Sequence, residues 1–166
     1  MQENKISNID KYYNYQILMK RIDVYYNSGA YLESIMITYA LLEDRTTSIC
    51  RYLNIELKKE YRERTLDKKI NKISNELSKD KILSKLLRKE LIEKVKLWAY
   101  DRNNIVHALN EEILDFSKYK SIAKNGYDIL KKLNNICKSY KDKSGIITER
   151  VTYKDRQNSI KCETWL

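Results

Sequence analysis

One short segment of the chain, Arg102-Asn103-Asn104-Ile105-Val106-His107, combines the side chains needed for acid–base and phosphate chemistry. His107 is the only histidine in the chain. A neutral imidazole near pH 7 can take the proton of a ribose 2′-OH. A guanidinium can hold a phosphate through two hydrogen bonds and stabilise the charge that develops on it. Together they suit RNA cleavage in which the 2′-oxygen attacks its own phosphate, a route that needs no metal. Asn103 and His107 are i,i+4 neighbours, so on a helix they share a face, and Asn103 can orient the imidazole or a phosphate. Arg102 and His107 are five residues apart, about 140° on a continuous helix. The reading therefore expects the chain to break at Asn103-Asn104, with a fresh helix from Ile105 to Leu114, because Asn caps well and is a poor interior residue. The competing reading makes His107 a satisfied core or interface histidine and Arg102 a surface charge.

The elements that must carry this segment read as helices. The 166 residues contain no proline and three glycines, and helix formers dominate. Strand-rich folds need more turn residues than this. The expected fold is all-α: an antiparallel bundle of four to five helices over residues 1–145, followed by a short irregular tail or arm over 146–166. A first helix is expected from Ile6 to Tyr26, with Ile6, Ile9, Tyr13, Ile17 and Val24 on its apolar stripe. Asn27-Ser28-Gly29 forms a turn. A second helix is expected from Ala30 to Ile55, its seam formed by Leu32, Ile35, Tyr39, Leu42, Thr46, Ile49 and Leu53. Thr65 is placed as the cap of a short helix through Leu77, and Asp80 as the cap of one carrying Ile82, Leu86, Leu87, Leu91, Val95 and Trp98. The last helix is expected from Ser117 to Lys141. Gly126 lies inside its stripe, where it costs about 1 kcal/mol relative to Ala and lets a neighbouring helix approach closely.

Charge separates along the chain. Residues 1–57 carry six Lys/Arg against seven Asp/Glu, whereas residues 58–166 carry 27 against 16. This asymmetry fits a polyanionic partner, be it RNA, DNA or an anionic membrane surface, and it also fits a solvated lysine-rich surface. Residues 58–72, 79–96 and 118–143 are the basic stretches, and Lys58, Lys59, Arg62, Arg64 and Lys96 are the expected RNA contacts. Tyr100 beside the motif is expected to stack on a base, and Trp98 to be buried. Cys50, Cys137 and Cys162 are isolated, which speaks against a disulfide framework. Zinc needs clustered ligands, so no metal site and no cofactor is expected. No apolar run approaches the ~20 residues that span a bilayer, and no apolar signal core opens the chain, so a cytoplasmic protein without a membrane partner is expected.

Arg102, Asn103 and His107, late in a helical chain and ahead of a long last helix, resemble the HEPN superfamily over roughly residues 6–141. The motif there is an arginine, a polar residue that is often Asn, and a histidine four to six residues after the arginine. The resemblance implies a homodimer with a composite cleft, cutting RNA without metal to leave a 2′,3′-cyclic phosphate. It further implies work as a toxin or antiviral defence effector, with an antitoxin or another defence-system protein as partner. Many family members carry an acidic residue on an early helix facing the cleft; Glu43 or Asp44 stands in that place here, to orient Arg102 or His107. The alternative function is a non-catalytic helical module that binds RNA or a protein partner, as an antitoxin-like or regulatory subunit.

Overall fold

A computed structural model describes residues 8–57, 65–108 and 115–145. Among them the fold is all-α: six helices and no strand. The helices are α1 (Asn8–Asn27), α2 (Tyr31–Tyr52), α3 (Leu66–Glu76), α4 (Lys81–Leu86), α5 (Lys89–Ala108) and α6 (Phe116–Ser144). A single 3-10 turn, Leu77–Lys79, links α3 to α4. The expected tail at 146–166 and the segment 109–114 lie outside the described residues.

The long helix α6 packs against α1, α2, α4 and α5, and α3 fills the space beside α2 and α5. Its seam follows the periodicity of the sequence: Ile122, Gly126, Ile129, Leu133 and Tyr140 are buried, and Ile136 packs against the core. Each fully buried Leu or Ile contributes roughly 1.5–3 kcal/mol, so this seam dominates the stability of the helix. The Asp115 carboxylate starts α6 by accepting from the Ser117 and Lys118 amides at 2.9 and 3.2 Å, one residue ahead of the expected start. Gly145 ends it in the left-handed region at φ 68°. The seam of α2 is likewise as expected, with Ile35, Leu42, Thr46 and Ile49 buried and Leu32, Tyr39 and Leu53 packed against the core.

Four expectations fail. The stripe of α1 has a different phase: Val24 is 63 % exposed, Ile22 is fully buried, and Tyr15, Leu18, Met19 and Tyr26 pack beside it. This helix carries apolar residues on several sides, so periodicity alone cannot fix which side faces inward. The segment after Asp80 is two helices rather than one. Asp80 does cap α4, accepting from the Ile82 and Leu83 amides at 2.9 and 2.8 Å. The chain then leaves the helix at Leu87, which is fully buried with φ −96° and ψ 89°. Here α4 packs on α6 while α5 reaches both α6 and α3, and one straight rod cannot serve both contacts. Thr65 occupies the position before α3, but its hydroxyl makes no capping bond.

The fourth failure concerns the motif. Helix α5 runs unbroken through Asn103-Asn104 to Ala108. Ile105 is the reason: it is 1 % exposed and lies seven residues, two turns, after the equally buried Trp98. Burying it in helical register outweighs the roughly 0.7 kcal/mol that an interior Asn costs relative to Ala.

Candidate functional site

On a continuous α5, Arg102 points to the packed side of the helix and His107 to the exposed side, about 140° away. Five residues of rise separate them by roughly 7.5 Å along the axis. The imidazole is exposed in the last described turn, on the same side as the exposed ring of Tyr100 one heptad before it. Asn103 lies between these directions and is half-buried.

The Arg102 Nη1 donates to the Asn103 Oδ1 at 3.1 Å. Its Nη2 meets the Met36 Sδ of α2 at 3.3 Å. The guanidinium carbon lies 4.2 Å from the centre of the Tyr39 ring. The Arg102 Nε is buried and has no hydrogen-bond acceptor. No carboxylate among the described residues forms a salt bridge with Arg102.

Tyr39 and Trp98 bridge α2 to α5. Their rings stack at 6.5 Å and 28°. Trp98 is buried, as its place on the apolar stripe predicts. Its Nε1 donates to the Ile122 carbonyl of α6 at 2.8 Å, and its ring covers Gly126. The Tyr39 hydroxyl lies near the Glu43 carboxylate and the Leu66 amide. Burial, and then the Glu43 charge, raises the Tyr39 phenol above its ordinary range.

The two acidic candidates separate. Glu43 connects to Arg102 through Tyr39, and its backbone carbonyl accepts from the buried Lys69 ammonium at 3.4 Å. Asp44 faces α1 instead. It pairs with Lys11 at 3.1 Å and with the adjacent Arg45, whose guanidinium covers the Tyr15 ring at 4.4 Å. Burial pushes the Asp44 carboxyl up, but Arg45 and Lys11 together hold it below its ordinary value. Asp44 is thus committed to the α1–α2 seam.

Among the expected RNA contacts, Lys96 pairs with Glu93 at 3.1 Å on α5, and Tyr100 is 63 % exposed. Lys58, Lys59, Arg62 and Arg64 lie outside the described residues. On α6, Lys120, Lys124, Lys131 and Lys138 recur at intervals of four and seven, so they form one exposed row. Among the described residues no group of three or more His, Cys, Asp or Glu is placed to hold a metal ion, and no helix is long and apolar enough to cross a membrane. Met36 is the neighbour of Arg102 that the sequence did not point to. Tyr39 sits in the α2 seam, where an aromatic residue reads as core, and only its tertiary neighbours reveal an arginine on its face.

No protein family, curated protein or solved structure matches the chain.

Proposed function

We propose that the chain is a metal-independent endoribonuclease of the HEPN kind, with Arg102, Asn103 and His107 at its centre. The observation that carries this reading is the Arg102 side chain: a half-buried guanidinium with no carboxylate partner among the described residues, hydrogen-bonded to Asn103 on the helix that bears the only histidine. In the proposed reaction His107 removes the proton from a ribose 2′-OH. The 2′-oxygen then bonds to phosphorus, and the bond from phosphorus to the 5′-oxygen breaks. Arg102 stabilises the charge on the non-bridging oxygens. The departing 5′-oxygen receives a proton from His107 of a second copy, and the product carries a 2′,3′-cyclic phosphate. One pair of side chains supplies either the base or the acid, so the reading requires a symmetric dimer with two motifs facing one cleft. The lysine row on α6 guides the RNA backbone. The biological setting that the resemblance implies, toxin or antiviral effector held in check by a partner protein, forms part of the proposal.

One observation favours a second reading, a non-catalytic module that binds RNA or protein. The unbroken α5 sets His107 and Arg102 on different sides, while Leu97 and Tyr100 are exposed on the outer side with His107. Cleavage of RNA by the purified protein separates the two. An endoribonuclease cuts in the presence of EDTA, leaves cyclic phosphate ends and arrests growth on expression, and Arg102→Ala and His107→Ala abolish all three effects while keeping the helical circular dichroism. Binding without cleavage by wild type and both variants establishes the module instead, and activity lost in EDTA refutes the metal-free route.

A further inference from the structure

The arginine of the motif does not stand alone. Its guanidinium rests on a ring, the ring rests on another ring, and the second ring is fixed to the longest helix of the fold. Trp98 is held by its hydrogen bond to the Ile122 carbonyl and by the absence of a side chain at Gly126, where a Cβ would stand 2.5 Å from the indole. Tyr39 stacks on Trp98 from the α2 side, with Glu43 and Leu66 near its hydroxyl end. Arg102 lies over the Tyr39 ring at 4.2 Å, and its buried Nε has no oxygen acceptor. The ring face is therefore the group that satisfies the inner side of the guanidinium. A cation held this way keeps one N–H on each Nη, beyond the bonds to Asn103 and Met36, for a phosphate that a carboxylate partner would have displaced.

We propose that Tyr39 is a positioning residue for this site: its ring is the platform that fixes the plane and the depth of the Arg102 guanidinium. The proposal rests on the endoribonuclease reading for its consequence, but its geometry stands apart from that reading. The ring, and not the hydroxyl, carries the role. Tyr39→Phe keeps the platform and loses only the hydroxyl near Glu43 and Leu66. Tyr39→Leu removes the π face and leaves an apolar side chain in the seam. Without the platform the guanidinium samples other rotamers, and the loss falls on the step in which it must meet developing charge.

The test combines RNA cleavage by the full chain with proton NMR of the Arg102 side chain, assigned by its disappearance in Arg102→Ala. A guanidinium over a ring has its δ and ε protons shifted upfield by the ring current. The expected result is an upfield shift in wild type and in Tyr39→Phe that vanishes in Tyr39→Leu. In cleavage, kcat for Tyr39→Leu is expected to fall about tenfold with KM changed less than twofold, the size of a cation–π interaction between the exposed and the fully desolvated case, and Tyr39→Phe is expected to recover most of that loss. Ordinary shifts for Arg102 in wild type overturn the proposal even if Tyr39→Leu does not fold. Equal loss in Tyr39→Phe and Tyr39→Leu overturns it too, because the hydroxyl is then the working group. If Arg102→Ala and His107→Ala cleave as well as wild type, or wild type does not cleave, the endoribonuclease reading fails, and the chemical shift still decides whether the platform exists.

Discussion

Gly126→Ala is a demanding test of the packing that reaches from α6 to the motif. A Cβ at Gly126 would stand 2.5–2.6 Å from three atoms of the Trp98 indole, well inside van der Waals distance. The indole cannot swing aside as a flexible chain end would: it is 2 % exposed, stacked on Tyr39 and hydrogen-bonded to the Ile122 carbonyl. Replacing a mid-helix Gly by Ala in open space would stabilise the protein by about 1 kcal/mol. Against this stand an overpacking cost of about 1–3 kcal/mol and about 1–3 kcal/mol more if the displaced indole N–H loses its acceptor. The net expectation is a destabilisation of about 2–3 kcal/mol. Urea unfolding followed by circular dichroism should show a lower midpoint with an unchanged slope, and the melting temperature should fall by roughly 4–12 °C for a chain of this size. Pairing it with Trp98→Phe completes a double-mutant cycle: the smaller ring makes room for the methyl group, so the two losses should combine to less than their sum by at least about 1 kcal/mol. A Gly126→Ala protein as stable as wild type or more stable, with additive behaviour in the cycle, would refute the close approach of Trp98 to α6 and the rigid platform built on it.

Asp80→Ala should destabilise by about 1–2 kcal/mol, because the carboxylate accepts from two amides of α4 and from the Tyr140 hydroxyl at 2.6 Å. These bonds, the Leu83 amide first, lower the Asp80 carboxyl below its ordinary value, so its stabilisation is complete at neutral pH and disappears as pH falls through 3.8 to the folded value; the gap between wild type and variant in urea midpoint should narrow over that acid range. A gap independent of pH would show that the charge is not what caps α4. Cys50 and Cys137 are buried, and burial pushes both thiols up to about 11, so iodoacetamide at pH 8 should leave both peptides unmodified in the folded protein and label them in urea. Rapid labelling of either in the native state would contradict the packing of α2 or α6. Changing Lys120, Lys124 and Lys138 to Ser should lower the slope of log K against log salt for a short single-stranded RNA by about 0.7 for each phosphate no longer neutralised, and an unchanged slope would place the RNA path elsewhere.

Much of the fold is written locally. The long stripes of α2 and α6 are regular enough that their buried faces follow from spacing alone, and Asp80 announces its helix through cap chemistry. The motif, too, is visible as residue types: one histidine, an arginine and an asparagine within six positions. Other features are not local quantities. The phase of α1 depends on which of several apolar sides meets α2 and α6. The turn at Leu87 exists because α4 and α5 have different partners. The continuity of α5 through Asn103-Asn104 is decided by Ile105, whose burial outweighs a modest helix propensity penalty. Asp44 and Glu43 are adjacent in sequence, yet Asp44 pairs with Lys11 of α1 while Glu43 lies beside Tyr39, a separation that follows from the helical turn once the neighbours are known.

The sequence by itself determined the helical class, the seams of the long helices and the identities of Arg102, Asn103 and His107, because composition, periodicity and residue chemistry are carried residue by residue. Only the tertiary structure decided that α5 does not break, that the guanidinium lies on Tyr39, and that Tyr39 in turn leans on Trp98 over a bare Gly126. Those outcomes depend on which surfaces meet across three helices far apart in the chain, and close packing fixes such meetings through the joint fit of many side chains.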